Sequence, residues 1–200
     1  NGAVLVAAQL GITKGIPNEK AVTKETAAKL IYNSLYASLI EGDGAGIKMN
    51  AQSNLMESVH KIFKKNGRIT ETQASSLTGE SSLSQNRIAV QFSDGTTEIL
   101  DTDGSYSEYL GYNVKMYIRY DDDNDSGKVI LAVPTNENEN LIVLSKNIVS
   151  ASKSEIIYNL EKGGKEFKAK ISPTVDVVYN NVGLFNFSAS DLSPKKGKLE

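Results

Sequence analysis

Residues 113–120 read NVKMYIRY, and this octet decides the fold. Val114, Met116, Ile118 and Tyr120 alternate with Lys115, Tyr117 and Arg119. Side chains of a strand point to opposite faces in turn, so a period of two with one apolar set describes a strand covered on one side. Working outward, Lys128–Val133 is its expected partner, reached across the acidic turn Asp121–Gly127. Upstream, Ile88, Val90 and Phe92 repeat the alternation, and Asp94-Gly95 is a hairpin signal before a return strand, Thr97–Leu100. Downstream, Leu141–Leu144 is a short apolar strand. Glu155–Leu160 and Glu166–Ile171 flank Gly163-Gly164 as a second hairpin, and Val175–Tyr179 is the last strand. Short strands at close spacing, joined by turn residues, describe a small barrel or sandwich.

The period changes before Gly67. Gly2–Gln9 reads as a short apolar helix, and a loop punctuated by Gly11, Gly15 and Pro17-Asn18 follows. Thr23 is placed to cap the next helix, with Glu25 where the helix dipole favours an anion. Ala27, Leu30, Ile31, Leu35 and Leu39 recur at helical spacing until Gly42. A second helical pattern covers Ala51–Lys64, striped by Leu55, Val59, Ile62 and Phe63 and stopped by Asn66-Gly67. The expected fold class is therefore α+β: a small helical N-terminal part followed by an antiparallel β-barrel or sandwich-like region. The expected domains are a helical module over 1–48, a connecting helix over 49–66 and a β region over 67–200, divisible at 135/136.

Composition excludes several functions. The chain has 200 residues and a formal charge of −2, which disfavours nucleic acid as a partner. It has no cysteine, so neither thiol catalysis nor a thiolate metal site can be built. His60 is the one histidine, which excludes a histidine-rich metal centre. The apolar run Ala3–Leu10 is shorter than the about 20 residues a membrane-spanning helix needs. It lacks a charged leader, and the abrupt start reads as a piece of a longer protein.

Leu10-Gly11-Ile12, then Gly15, then Ala21-Val22-Thr23-Lys24-Glu25-Thr26-Ala27-Ala28-Lys29-Leu30 together resemble the second half of an S-layer homology module. That pattern is a helix ending in a Gly-Ile-x-x-Gly turn, a loop, and an Ile-Thr-Arg-Ala-Glu-like helix start. The resemblance covers about a fifth of the chain, Ala3–Leu39. It implies an extracellular protein held at the cell wall of a Gram-positive bacterium, with secondary cell-wall polysaccharide as its partner. It also implies glycan-binding roles for Gly15, Thr23, Lys24 and Glu25, with Lys24 standing where the family has arginine and supplying the cation for an anionic sugar substituent. The segments YLGYNVKMYIRYDDD and GKVILAVPTNENENLIVL resemble regions that follow such modules in large surface proteins of Firmicutes. The implied function is a non-catalytic part of a surface or S-layer-associated protein, with a wall anchor and a β scaffold or adhesion domain. The alternative is an accessory region of a secreted wall- or polysaccharide-degrading enzyme whose catalytic domain lies outside these residues.

Other stretches have plainer readings. Asp121–Gly127 has the oxygens of a calcium loop, but its spacing is not that of an EF-hand and a solvated turn accounts for it. His60 has no Asp or Ser partner in view and reads as a surface or packing residue. Tyr106, Tyr109, Tyr112, Tyr117 and Tyr120 read first as barrel packing and second as a platform for sugars. Glu41–Gly46 lacks the Lys-Ser/Thr of a phosphate loop and reads as a linker. No cofactor is called for by any motif.

Overall fold

A computed structural model of the chain describes residues 2–17, 22–42, 47–121, 126–161 and 163–200. The chain divides into two compact units: Asn1–Phe63 with Ile118–Asn124, and Lys64–Tyr117 with Asp125–Glu200. One division falls at Phe63/Lys64, and residues on both sides of 135/136 belong to the second unit.

In the first unit, α1 (Gly2–Gln9) and α2 (Lys24–Leu35) flank the glycine-punctuated loop, as expected. Thr23 is extended (φ −80°, ψ 167°), and its Oγ1 accepts the Thr26 N–H at 3.1 Å. That bond satisfies one of the amide donors the first helical turn leaves over. The Asn33 amide donates to the carbonyls of Ile12 (2.9 Å) and Lys14 (3.1 Å), which ties the loop to α2.

Two helix expectations are corrected. The second helix stops at Leu35 and does not reach Leu39, because Leu39 lies in β1 (Ser38–Gly42), paired with Asn50 of β2 (Ile47–Asn54). The connecting helix shrinks to α3 (Leu55–Ser58), capped by Asn54, whose Oδ1 accepts the Glu57 N–H at 3.0 Å. Lys61 then takes φ +54°, a left-handed conformation that a right-handed helix does not pass through. Ile62 and Phe63, assigned from sequence to the helical stripe, open β3 (Ile62–Thr72) instead. Among the residues up to Phe63 whose burial is described, Ala37 alone is buried.

The β-rich region is a mixed sheet, not a purely antiparallel one. It comprises β3, β4 (Arg87–Phe92), β5 (Thr97–Asp101), β6 (Asn113–Arg119) and β7 (Lys128–Pro134). The order β3-β4-β5-β7-β6 closes on itself. β3 and β4 pair antiparallel, with Ile69 opposite Val90 and an irregularity between Ile69 and Glu71. β4 and β5 form the expected hairpin through Asp94-Gly95, with Gly95 at φ +87° and the Asp94 carboxylate accepting the Thr96 N–H at 2.9 Å. β6 returns beside β3, since Ile69 N–H reaches the Tyr112 carbonyl (3.1 Å) and Tyr120 N–H reaches that of Lys61 (2.9 Å). β7 then lies between β6 and β5, and so runs parallel to β5. Val114, Met116 and Ile118 are wholly buried, as the alternation of the opening octet required. Ile69, Val90 and Leu100 are buried with them.

Among the described residues the parallel seam has one register pair, Asp101 with Lys128. Side chains reinforce it. The Asp101 carboxylate accepts from Ser126 Oγ (2.5 Å) and Arg87 Nε (2.9 Å), and Lys128 Nζ pairs with Asp103 at 2.7 Å. The Ser126 hydroxyl, the largest effect, holds the Asp101 carboxyl below the ordinary 3.8; burial opposes it, and the Arg87 bond and charge and the Lys128 charge support it. A carboxyl depressed in the folded state contributes stability above its unfolded pKa and loses it as pH falls through the folded value. Asp101→Asn is therefore expected to lower the urea midpoint at pH 7 and to differ less from the parent well below pH 3.8. Equal midpoints of the two chains at pH 7 would remove this role.

Beyond β7 the second unit adds β8 (Val143–Leu144), β9 (Ile148–Ala151), β10 (Glu155–Asn159), β11 (Glu166–Lys170), β12 (Val177–Tyr179), β13 (Val182–Leu184) and β14 (Lys198–Leu199). They form a three-stranded sheet β11-β10-β9 and the pairs β12-β13 and β14-β8. The strand expected over Leu141–Leu144 is shorter, because β14 offers it two partners, Lys198 for Leu144 and Leu199 for Val143. The β12-β13 hairpin packs closely on residues 77–79: Gly183 N–H donates to the Gly79 carbonyl at 2.9 Å, and a Cβ on Gly183 would stand 2.5 Å from the Leu77 carbonyl. Arg68 on β3 pairs with Asp176 at 2.8 Å.

Candidate glycan-binding hollow

The loop before α2 and the first turns of that helix enclose a hollow of about 180 Å³, lined by Gly15, Ile16, Pro17, Thr23, Glu25, Thr26 and Lys29. Three residues singled out in the sequence, Gly15, Thr23 and Glu25, therefore meet. Lys24, the fourth, is exposed at the first position of α2 and is not part of the lining. The cation of the hollow is Lys29, which sequence reading passed over. Its signal was present: Lys29 lies four residues after Glu25, and residues at that spacing share a helix face.

Gly15 matters twice. Its φ of +67° is left-handed, which favours glycine. A Cβ there would also meet Lys29 Cε and Nζ at 3.4 Å, so the lysine stem lies against the bare backbone. Thr23 and Thr26 hydroxyls are 2.9 Å apart and form a short polar shelf. The chemistry on offer is one ammonium, one carboxylate and two hydroxyls, which suits hydrogen bonding to a polyol and pairing with an anionic substituent. Among the lining residues there is no nucleophile beside a histidine base.

The remaining sequence candidates fall elsewhere. Asp122–Asp125 and the glycine loop 43–46 lie outside the described residues. His60 is exposed in the turn after α3. Tyr120 packs edge-on against Phe63, with ring centres 5.6 Å apart. Tyr106, Tyr109 and Tyr112 come together: centroids are 6.1 Å apart for the first pair and 5.9 Å for the second. Among the described residues, no group of three or more His, Asp or Glu side chains is placed to hold a metal ion. No helix among them is long and apolar enough to cross a membrane. No family model matches the chain, and neither a curated protein nor a solved structure does.

Proposed function

We propose that the chain is a non-catalytic part of a bacterial cell-surface protein, anchored to wall polysaccharide through its helical N-terminal part. In this reading the β-rich region, a small barrel with appended sheets, is a scaffold or adhesion domain. The observation that carries the reading is the hollow, in which Gly15, Thr23 and Glu25 of the S-layer-homology-like stretch share one lining with Lys29. Its ligand would be a sugar of secondary cell-wall polysaccharide, and one bearing an anionic substituent would meet the Lys29 ammonium.

The test is retention of the purified chain on Gram-positive wall sacculi before and after the secondary polysaccharide is stripped. Retention that disappears on stripping is expected. Lys29→Ala should weaken it several-fold and flatten its salt dependence, because an exposed ion pair is screened by salt. Lys24→Ala should weaken it less. Equal retention on intact and stripped walls would overturn the reading.

A further inference from the structure

Tyr106, Tyr109 and Tyr112 recur every three residues in the connection from β5 to β6. The backbone folds there as consecutive three-residue turns: Tyr109 N–H donates to the Tyr106 carbonyl (2.9 Å), and Tyr112 N–H to that of Tyr109 (3.0 Å). The 3₁₀ turn Ser107–Tyr109 and the turn that follows it through Gly111 (φ +83°) bring the three rings together, with neighbouring centroids 6.1 and 5.9 Å apart. Successive ring planes are tilted by 48° and 33°.

The row is fixed from beneath. Gly111 N–H donates to the Ile69 carbonyl at 2.8 Å, and Arg68 Nε donates to the Gly111 carbonyl at 3.0 Å. At the far end the Asn140 amide donates to the Tyr112 hydroxyl. The three rings are half-buried, whereas Ile69, Val90, Leu100, Val114, Met116 and Ile118 are fully buried. Barrel packing, the first reading of the sequence, leaves part of each of these residues open to solvent.

We propose that this tyrosine row is a second carbohydrate site, one that takes an uncharged oligosaccharide chain. Tyrosine offers an apolar ring for the C–H face of a pyranose and a hydroxyl for its edge, at the low entropic cost of two side-chain torsions. Charge selects against an anionic chain. Arg68 is already bound to Asp176 and to Gly111, and Lys128 to Asp103. Glu108 lies exposed within the same turns, and burial, then Tyr109 and Asp103, raise the Tyr106 hydroxyl above its ordinary pKa. This site stands apart in sequence from the hollow at Gly15, so either can fail without the other.

The chain has nine tyrosines and no tryptophan, so tyrosine emission reports on the rings without a brighter fluorophore. The full chain would be titrated with cellohexaose and, separately, chitohexaose, by emission and by calorimetry. Saturable binding of at least one is expected, weakened about tenfold by Tyr109→Ala, since one stacked ring contributes on the order of a tenfold change. Tyr109→Phe should keep most of the affinity. Should Tyr109→Ala not fold by circular dichroism, ring resonances of ¹³C-tyrosine-labelled parent decide: shifts must centre on Tyr106, Tyr109 and Tyr112. No saturable binding of either hexasaccharide, binding indifferent to Tyr109→Ala, or shifts centred on other tyrosines would each overturn the proposal.

Discussion

Met116→Ala is expected to cost the fold about 2–5 kcal/mol, the range for emptying a fully buried large side chain. Met116 is wholly buried on β6, between Val114 and Ile118 on the same face. β6 is held by β3 on one side and β7 on the other, so its backbone cannot settle into the space a deleted side chain leaves. The cavity term then adds to the lost transfer energy in place of being relaxed away. A domain of this size is stable by about 5–15 kcal/mol, so the variant would lose a large share of its margin. Urea unfolding reads the effect as a lower midpoint at unchanged slope. Lys115→Ala, one residue away and facing solvent, supplies the control and should stay within about 0.5 kcal/mol of the parent. Similar midpoints for the two variants would mean that the alternation of the octet does not define the interior.

The sequence spoke clearly where one period ran without competition. β6 was legible because buried and exposed residues alternate along it, and the β4-β5 hairpin because Ile88, Val90 and Phe92 alternate with their neighbours in sequence and Asp94-Gly95 has one reading. It misled at residues 51–64, where Leu55, Val59, Ile62 and Phe63 satisfy helical spacing yet include the start of a strand. What separates the readings there is a local event, the left-handed Lys61, which no periodicity encodes. The β1-β2 hairpin was hidden for a similar reason, since Leu39 continued a helical stripe while its strand partner lay across 43–46. The parallel seam at Asp101 and Lys128 was not legible at all, because one register pair leaves no pattern. The hollow was half legible. A motif located Gly15, Thr23 and Glu25, but Lys29 is chosen by the helix face it shares with Glu25 and by the bare backbone of Gly15.

Gly67 turns the misreading of residues 51–67 into a measurement. As a helix stop in an exposed linker, it would accept alanine at little cost, or with a gain of about 0.4–1 kcal/mol from a stiffer unfolded chain. In the structure it sits within β3, opposite Phe92 of β4, and its φ is not in the left-handed region, so backbone strain is not at issue. Space is. A Cβ there would stand 2.7 Å from Val90 Cγ1 and 2.8 Å from the Gln91 carbonyl oxygen. The Val90 side chain is fully buried with nowhere to retreat, and the Gln91 backbone is held in the β3–β4 ladder by its pairing with Arg68. Both neighbours resist, so Gly67→Ala is expected to destabilise by about 1–3 kcal/mol, the usual cost of overpacking. Gly104→Ala is the matched control, because a Cβ at Gly104 meets nothing within 4 Å and its φ is ordinary. That variant should unfold at or slightly above the parent's midpoint, while Gly67→Ala unfolds well below it. If Gly67→Ala were as stable as the parent, the close approach of β3 to β4 at this point would be wrong, and with it the register that brings Ile69 opposite Val90.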